Sequence, residues 1–190
     1  MMANNETGVL QPVEEIGKIA AEANVLFHTD AVQAAAKVPI DARQIGCHAL
    51  SISGHKIHAP QGVGALFVKK GTRIQPLFHG GRHERQRRAG TENVPGIVGL
   101  GKAAQFAKES RDRGDEKRMS AMRDRLEQGI LAHVEDVTVN GQGAARVPNT
   151  TNLRFNHIEG ESLVIALDLK GLAVSTGAAC AHRSFSSQDT

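Results

Sequence analysis

The chain has 190 residues, a net charge of +3 and 40% hydrophobic residues, but only 3% aromatic ones, with no Trp and no Tyr. Its core must therefore rest on Val, Ile, Leu and Ala, and the small net charge argues against general nucleic-acid binding. Two cysteines, Cys47 and Cys180, give no disulfide framework and suit a reducing cytoplasm; the start is polar from Asn4, without a signal-peptide pattern, and no apolar run approaches a membrane span.

The elements alternate along the chain. Asn4-Asn5 and Thr7-Gly8 are turn formers. Pro12 to Ala20 reads as a helix, with acids in its first turn and Val13, Ile16 and Ala20 on one face. Val25 to His28 is predicted as a short buried strand. A helix over Asp41 to Gly46 and a strand over His48 to Ser53 repeat the pattern, and Gly62 to Val68 is a further strand, ended by Lys69-Lys70-Gly71. This alternation predicts an α/β fold with a largely parallel sheet. Val94 to Ala107 carries Ile97, Leu100, Ala104 and Ala107 on one helical face. Lys108 to Arg118 has helical spacing but no apolar face, and reads as a solvated connection. A second amphipathic helix runs through Met119, Met122, Leu126, Ile130 and Leu131. Strands are predicted at Val137 to Val139, at Asn149 to Phe155 and at Ala173 to Ser175, with a helix over Glu161 to Leu167 capped by Gly171. The expected division is 1–107, a connecting segment 108–118, and a smaller α+β unit at 119–190.

The chemistry concentrates at Ser51-Ile52-Ser53-Gly54-His55-Lys56. A lysine just past a strand end sits where open α/β sheets place their reactive groups. Partial burial or a nearby cation frees its amine for Schiff-base formation. Taken alone, the hexapeptide reads more simply as a surface lysine after a strand. Its company favours the reactive reading. Asp30 ends an earlier strand and Gln33 follows it by three residues. A carboxylate can hold a proton on a pyridine nitrogen, and an amide can hydrogen-bond a ring oxygen. The histidine pairs His55/His58 and His79/His83 invite a metal. Pro60, Gly80 and Gly81 break any helix there, and no acid or cysteine completes a ligand set, so no metal is expected. The basic run Arg82 to Arg88 reads as a solvated loop, since it lacks the interleaved aromatics of a nucleic-acid surface. An anion site is the other reading, because Gly80-Gly81 permits close approach and Thr91 precedes a helix start. Cys180 lies in a small-residue loop, Thr176 to Ala181, open enough for a reactive thiol; Cys47 reads as structural.

Together these stretches resemble the class V, fold type I aminotransferase family, and within it the cysteine desulfurases and selenocysteine lyases. The resemblance is carried by Ala3-Asn4-Asn5-Glu6-Thr7-Gly8, by His28 to Gln33, by Ser51 to Lys56, by Gly80 to Arg85 continuing through Arg88 to Asn93, and by Ser175 to Cys180. It covers nearly the whole chain and weakens after Cys180, where His182 to Ser187 departs from the family pattern.

The resemblance implies the second half of a pyridoxal-phosphate-binding large domain followed by an incomplete small C-terminal domain. It implies that Lys56 forms the cofactor Schiff base, that Asp30 holds the ring-nitrogen proton, and that Gln33 and Asn5 face the ring oxygen. Ser53, His55 and Thr91 face the phosphate, Thr91 across a homodimer. Cys180 takes sulfur from L-cysteine as a persulfide, leaves L-alanine, and passes the sulfur to an acceptor such as an iron–sulfur scaffold. The chain opens on a motif that the family places mid-domain, so an internal portion is expected. It would lack the family's ring-stacking His and substrate-binding Arg, and so have little or no desulfurase activity alone. The rival readings are a selenocysteine lyase, with which Gly177-Ala178-Ala179-Cys180 is compatible, and a non-catalytic remnant serving as a dimer or scaffold surface.

Overall fold

The computed structural model describes residues 1–177. Helix α1 (Val13–Glu22) follows Pro12, and Glu14 and Glu15 sit in its first turn, where the helix dipole favours acids. It buries Val13, Gly17 and Ala20 against the short helix α2 (Ala42–Ile45). Glycine is required at position 17, because a Cβ there would lie 1.8 Å from the Ile45 carbonyl oxygen. Asp41 caps α2 by accepting from the Arg43 and Gln44 amides, and Gly46 ends it at φ +72°.

The strand expected at Val25–His28 is shifted. Strand β1 is His28–Asp30, and Val25 and Leu26 are 53% and 70% exposed. A strand is only as long as its partner. The Phe27 carbonyl already accepts the His48 amide at 2.8 Å, and β2 (Ala49–Ser53) begins one residue later. β1 and β2 run parallel, with Asp30 opposite Ser51. β3 (Gly64–Val68) pairs with β2 antiparallel. The α/β expectation holds, with one parallel and one antiparallel pair in a sheet ordered β1-β2-β3. The reason lies in the connections. The link from β1 to β2 contains α2 and is long enough to cross over, whereas the link from β2 to β3 is a 3-10 turn (Gly54–Ile57) and a short loop.

The core lies on one side of this sheet. Leu50 packs with Val13, Ala31, Ala34, Ile45 and Cys47, and Met2, Ala3 and Val147 close it. The N-terminal segment is tied at both ends. The Met2 amide donates to the Asp30 carbonyl at 2.7 Å, and the Val147 amide donates to the Gly8 carbonyl at 2.8 Å.

Helix α3 (Val94–Asp112) starts with the Asn93 side chain accepting from the Gly96 amide, and runs beyond the expected end at Ala107. Gly114, at φ +72°, breaks the chain before α4 (Asp115–His133). The charged stretch 108–118 is thus a corner between two helices. Ala103 of α3 packs with Ala35, Ile57 and Ala59, so α3 braces the turn after β2. The apolar stripe read on α4 is not its buried face. Met119, Met122, Leu126 and Leu131 are exposed and Glu127 is buried. α4 turns inward the residue with partners there: Arg146 donates to both Glu127 oxygens at 2.7 and 2.9 Å.

β4 (Val137–Val139) pairs antiparallel with β5 (Leu153–Phe155). β5 is shorter than the expected Asn149–Phe155 because β4 offers three residues to pair with. α5 (Gly160–Asp168) is capped at Leu169, and Gly171 turns the chain just beyond at φ +78°. Ala173–Ser175 forms no strand, since it pairs with no other strand among the described residues. No helix among the described residues is long and apolar enough to cross a membrane.

Candidate active site

Parallel pairing brings two strand ends together. Asp30 closes β1 and Ser53 closes β2, and the Ala31 amide donates to the Ser51 carbonyl at 2.9 Å, joining the chains where they leave the sheet. This is the edge at which open α/β sheets bind ligands. After Ser53 the backbone tightens into the 3-10 turn. The Gly54 amide donates to the Val63 carbonyl at 2.8 Å, and the Ala59 amide returns to the Gly54 carbonyl at 3.0 Å. Gly54 and Ile57 are buried and anchor the turn, while His55 and Lys56 are exposed. A Cβ at Gly54 would lie 2.8 Å from the Val63 oxygen, so glycine is needed for this close approach. His58 ends the turn at φ +67°. Ser53 Oγ and His55 Nδ1 share a hydrogen bond of 2.8 Å.

Asp30 is exposed, and its Oδ1 accepts the Val32 amide at 2.8 Å. Gln33 lies in the next turn, where Lys37 Nζ donates to its Oε1 at 2.9 Å. Burial first, and then the positive charge of Lys56, hold the Lys37 ammonium below the usual lysine pKa. That coupling brings Lys56 into the same electrostatic group as Lys37 and Gln33. Asn5 is exposed in a turn reached from Met2, whose amide is bonded to Asp30. The turn is built by Asn4, whose Oδ1 accepts from the Glu6 amide, the Thr7 amide and the Thr7 hydroxyl at 2.9, 2.9 and 3.1 Å.

Asp30, Gln33, Ser53, His55 and Lys56 thus gather around two adjacent strand ends, with the Asn5 turn tied to the first of them. Thr91 does not join them. It is exposed in the coil before α3, and no hydrogen bond among the described residues links it to the group. Cys180 lies outside the described residues. The segment leading towards it starts near the Asn5 turn, since a Cβ on Gly177 would stand 3.5 Å from Glu6 Oε1. Asn152 Nδ2 also donates to the Glu6 carbonyl, at 3.4 Å.

The basic run, expected as a solvated loop, is largely exposed and contains one short 3-10 turn, Glu84–Gln86. Glu84, Arg85 and Gln86 all take positive φ, and the Arg88 guanidinium stacks on Phe78 at 5.2 Å. Phe78, Gly80, Gly81, Arg82 and Gln86 line an open depression of about 260 Å³. Burial pushes the Cys47 thiol up, and its Sγ faces the Ala42 carbonyl at 3.8 Å, as suits a packing residue. Among the described residues no group of three or more metal-ligating side chains gathers. Sequence reading took Asn4 only as a turn former and gave Lys37 no part in the site. Their signals were local: an Asn three residues before a Thr in a turn, and a Lys four residues after Gln33.

The class-V aminotransferase family matches residues 1–190. The chain belongs to that family. It is 52% identical to a cysteine desulfurase of Gluconacetobacter diazotrophicus over 180 residues, which is 95% of this chain and 45% of that protein. A NifS-like protein from Rickettsia africae superposes with a TM-score of 0.87 at 36% identity, covering 93% of this chain and 49% of that one. A structure described as SspA in complex with cysteine gives a TM-score of 0.72 at 33% identity, covering 94% and 48%. This class-V aminotransferase chain therefore spans about half the length of the relatives it matches.

Proposed function

We propose that these residues serve a pyridoxal-phosphate-dependent cysteine desulfurase, acting in the cytoplasm on L-cysteine. The observation that carries the reading is the placement of Asp30 at the end of β1 and of Lys56 just past the end of the parallel strand β2. The donor set fits the cofactor. Asp30 has one carboxylate oxygen engaged by the backbone and one left to accept a ring N–H. Ser53 and His55 are bonded to each other on an exposed turn, ready to hold a phosphate. Lys56 is exposed beside them.

Bound there, pyridoxal phosphate supplies an electron sink conjugated to the substrate α-carbon. Lys56 Nζ would bind the cofactor aldehyde carbon. Asp30 would keep the proton on the ring nitrogen, and Gln33 and Asn5 would hydrogen-bond the ring oxygen. Thr91 would reach the phosphate held by a second copy of the chain. The Cys180 thiolate would attack the sulfur of bound cysteine. An S–S bond forms as the carbon–sulfur bond breaks, and a proton replaces sulfur on the carbon to give L-alanine. The persulfide sulfur would pass to an acceptor such as an iron–sulfur scaffold. On this reading residues 1–107 hold the cofactor, 119–190 bring the thiol, and 108–118 join them.

A chimera tests this. Residues 1–190 replace the matching part of the Gluconacetobacter diazotrophicus relative, and alanine release from L-cysteine and from L-selenocysteine is measured. The expected result is alanine from cysteine with a persulfide on Cys180. Cys180→Ser should keep cofactor binding and lose the persulfide. A chimera that folds but binds no pyridoxal phosphate would sink the proposal.

A further inference from the structure

A second lysine enters the site through the turn after β1. Lys37 Nζ donates to Gln33 Oε1 at 2.9 Å. A side-chain amide can present either end to a neighbour. A lysine ammonium carries donors and no acceptor, so this contact fixes the orientation. The amide oxygen faces Lys37, and the NH2 remains as the group Gln33 can offer. No other hydrogen bond among the described residues engages that amide. The backbone holds the pair firmly. The Ala34 and Ala35 amides both donate to the Ala31 carbonyl, at 3.0 and 2.9 Å, and the Lys37 amide donates to the Ala34 carbonyl at 3.0 Å. Ala34 and Ala35 are buried in the two core clusters, so the turn cannot shift without disturbing both. The charge that acts on Lys37 is Lys56, reaching it from the turn after β2.

We propose that Lys37 is a positioning residue: it holds the Gln33 carbonyl so that the Gln33 NH2 is presented as a donor to an anionic oxygen on the cofactor ring, with the Lys37 charge behind that donor. The inference rests on the pyridoxal-phosphate reading above. A lysine whose stem merely covered apolar surface would make a different prediction, because it would not distinguish cofactors with and without that oxygen.

The test has two arms, both on the full chain. The first needs no cofactor. Competitive acetylation over a pH series, read by peptide mass spectrometry, gives the titration midpoint of each lysine amine. Lys37 should titrate below the ordinary lysine value, and Lys56→Met should move its midpoint upward. A Lys37 midpoint at the ordinary lysine value would mean an amine free in solvent rather than held against Gln33, and would overturn the proposal whether or not cofactor binds. The second arm compares dissociation constants for pyridoxal phosphate and for its 3-deoxy analogue, which lacks the ring oxygen. Lys37→Met should weaken pyridoxal phosphate about tenfold, the scale of one charge-assisted hydrogen bond. Lys37→Arg, which keeps donor and charge, should restore most of the loss, and the analogue should bind all three proteins alike. Equal weakening of both ligands by Lys37→Met would mean a structural role and overturn the proposal. If the unsubstituted chain bound neither ligand while Lys37 still titrated low, the cofactor reading would fall and the ring-oxygen role with it, while the Gln33–Lys37 pair would stand.

Discussion

Asp30 has two carboxylate oxygens, and the fold commits one of them. Oδ1 accepts the Val32 amide at 2.8 Å, a bond that the carbonyl of an asparagine can keep. Asp30→Asn should therefore leave the turn and the unfolding midpoint unchanged, and remove only the charge that pairs with a ring N–H. A charge-assisted hydrogen bond contributes about 1.5–3 kcal/mol, so cofactor affinity should fall roughly 10- to 100-fold. Alanine release by the chimera should fall much further, because the electron sink depends on that proton. Turnover at the unsubstituted rate would show that Asp30 is not the ring partner. The placement of Asp30, Gln33 and Lys56 at and after strand ends was legible in the sequence, because each sits at a fixed offset from a strand end. The three hydrogen bonds of Asn4, named only as a turn former, and the contact of Lys37 with Gln33 were not, because a supporting hydrogen bond leaves little mark on a residue pattern.

At the scale of elements, α4 is held by an ion pair. Glu127 and Arg146 side chains are 10% and 9% exposed, and Thr151 donates a third hydrogen bond to the carboxylate at 2.5 Å. Arg146→Met would leave that buried charge with the Thr151 hydroxyl as its hydrogen-bond partner and only the more distant Arg123 cation to offset it, at a cost of about 3–5 kcal/mol. Urea unfolding at neutral pH should show this loss. The pH dependence has a definite sign. The Arg146 hydrogen bonds hold the Glu127 carboxyl below its ordinary value of 4.5. Its contribution is therefore full above 4.5 and is lost as the pH falls through the lowered folded value. The Arg146→Met protein should lose less stability than the parent over that acid interval. An equal loss in both would mean that the pair carries no linked proton. Sequence spacing on α4 read the period correctly and the buried side wrongly. Periodicity reports that Met119, Met122 and Leu126 share a face, while burial is decided by what lies opposite, here Arg146, nineteen positions from Glu127 along the chain.

At the scale of the molecule, one sheet edge collects residues from three stretches of chain. The alternation of helix and strand was legible because α1 carries its own apolar face, α2 its Asp41 cap, and β2 the alternating Leu50 and Ile52. Strand limits were not, because they depend on partners. β1 begins where β2 can pair with it, β5 shortens to match β4, and Ala173–Ser175 finds no neighbouring strand among the described residues. The antiparallel β3 follows from the length of a connection that local propensity does not encode.

Borohydride reduction of the chain loaded with pyridoxal phosphate, followed by peptide mapping, tests the central claim most directly. Lys37 is the informative competitor, since burial and the Lys56 charge leave more of its amine neutral than at an ordinary lysine. If the strand-end geometry sets the site, the pyridoxyl label falls on Lys56. A label on Lys37, Lys69 or Lys70 would contradict it.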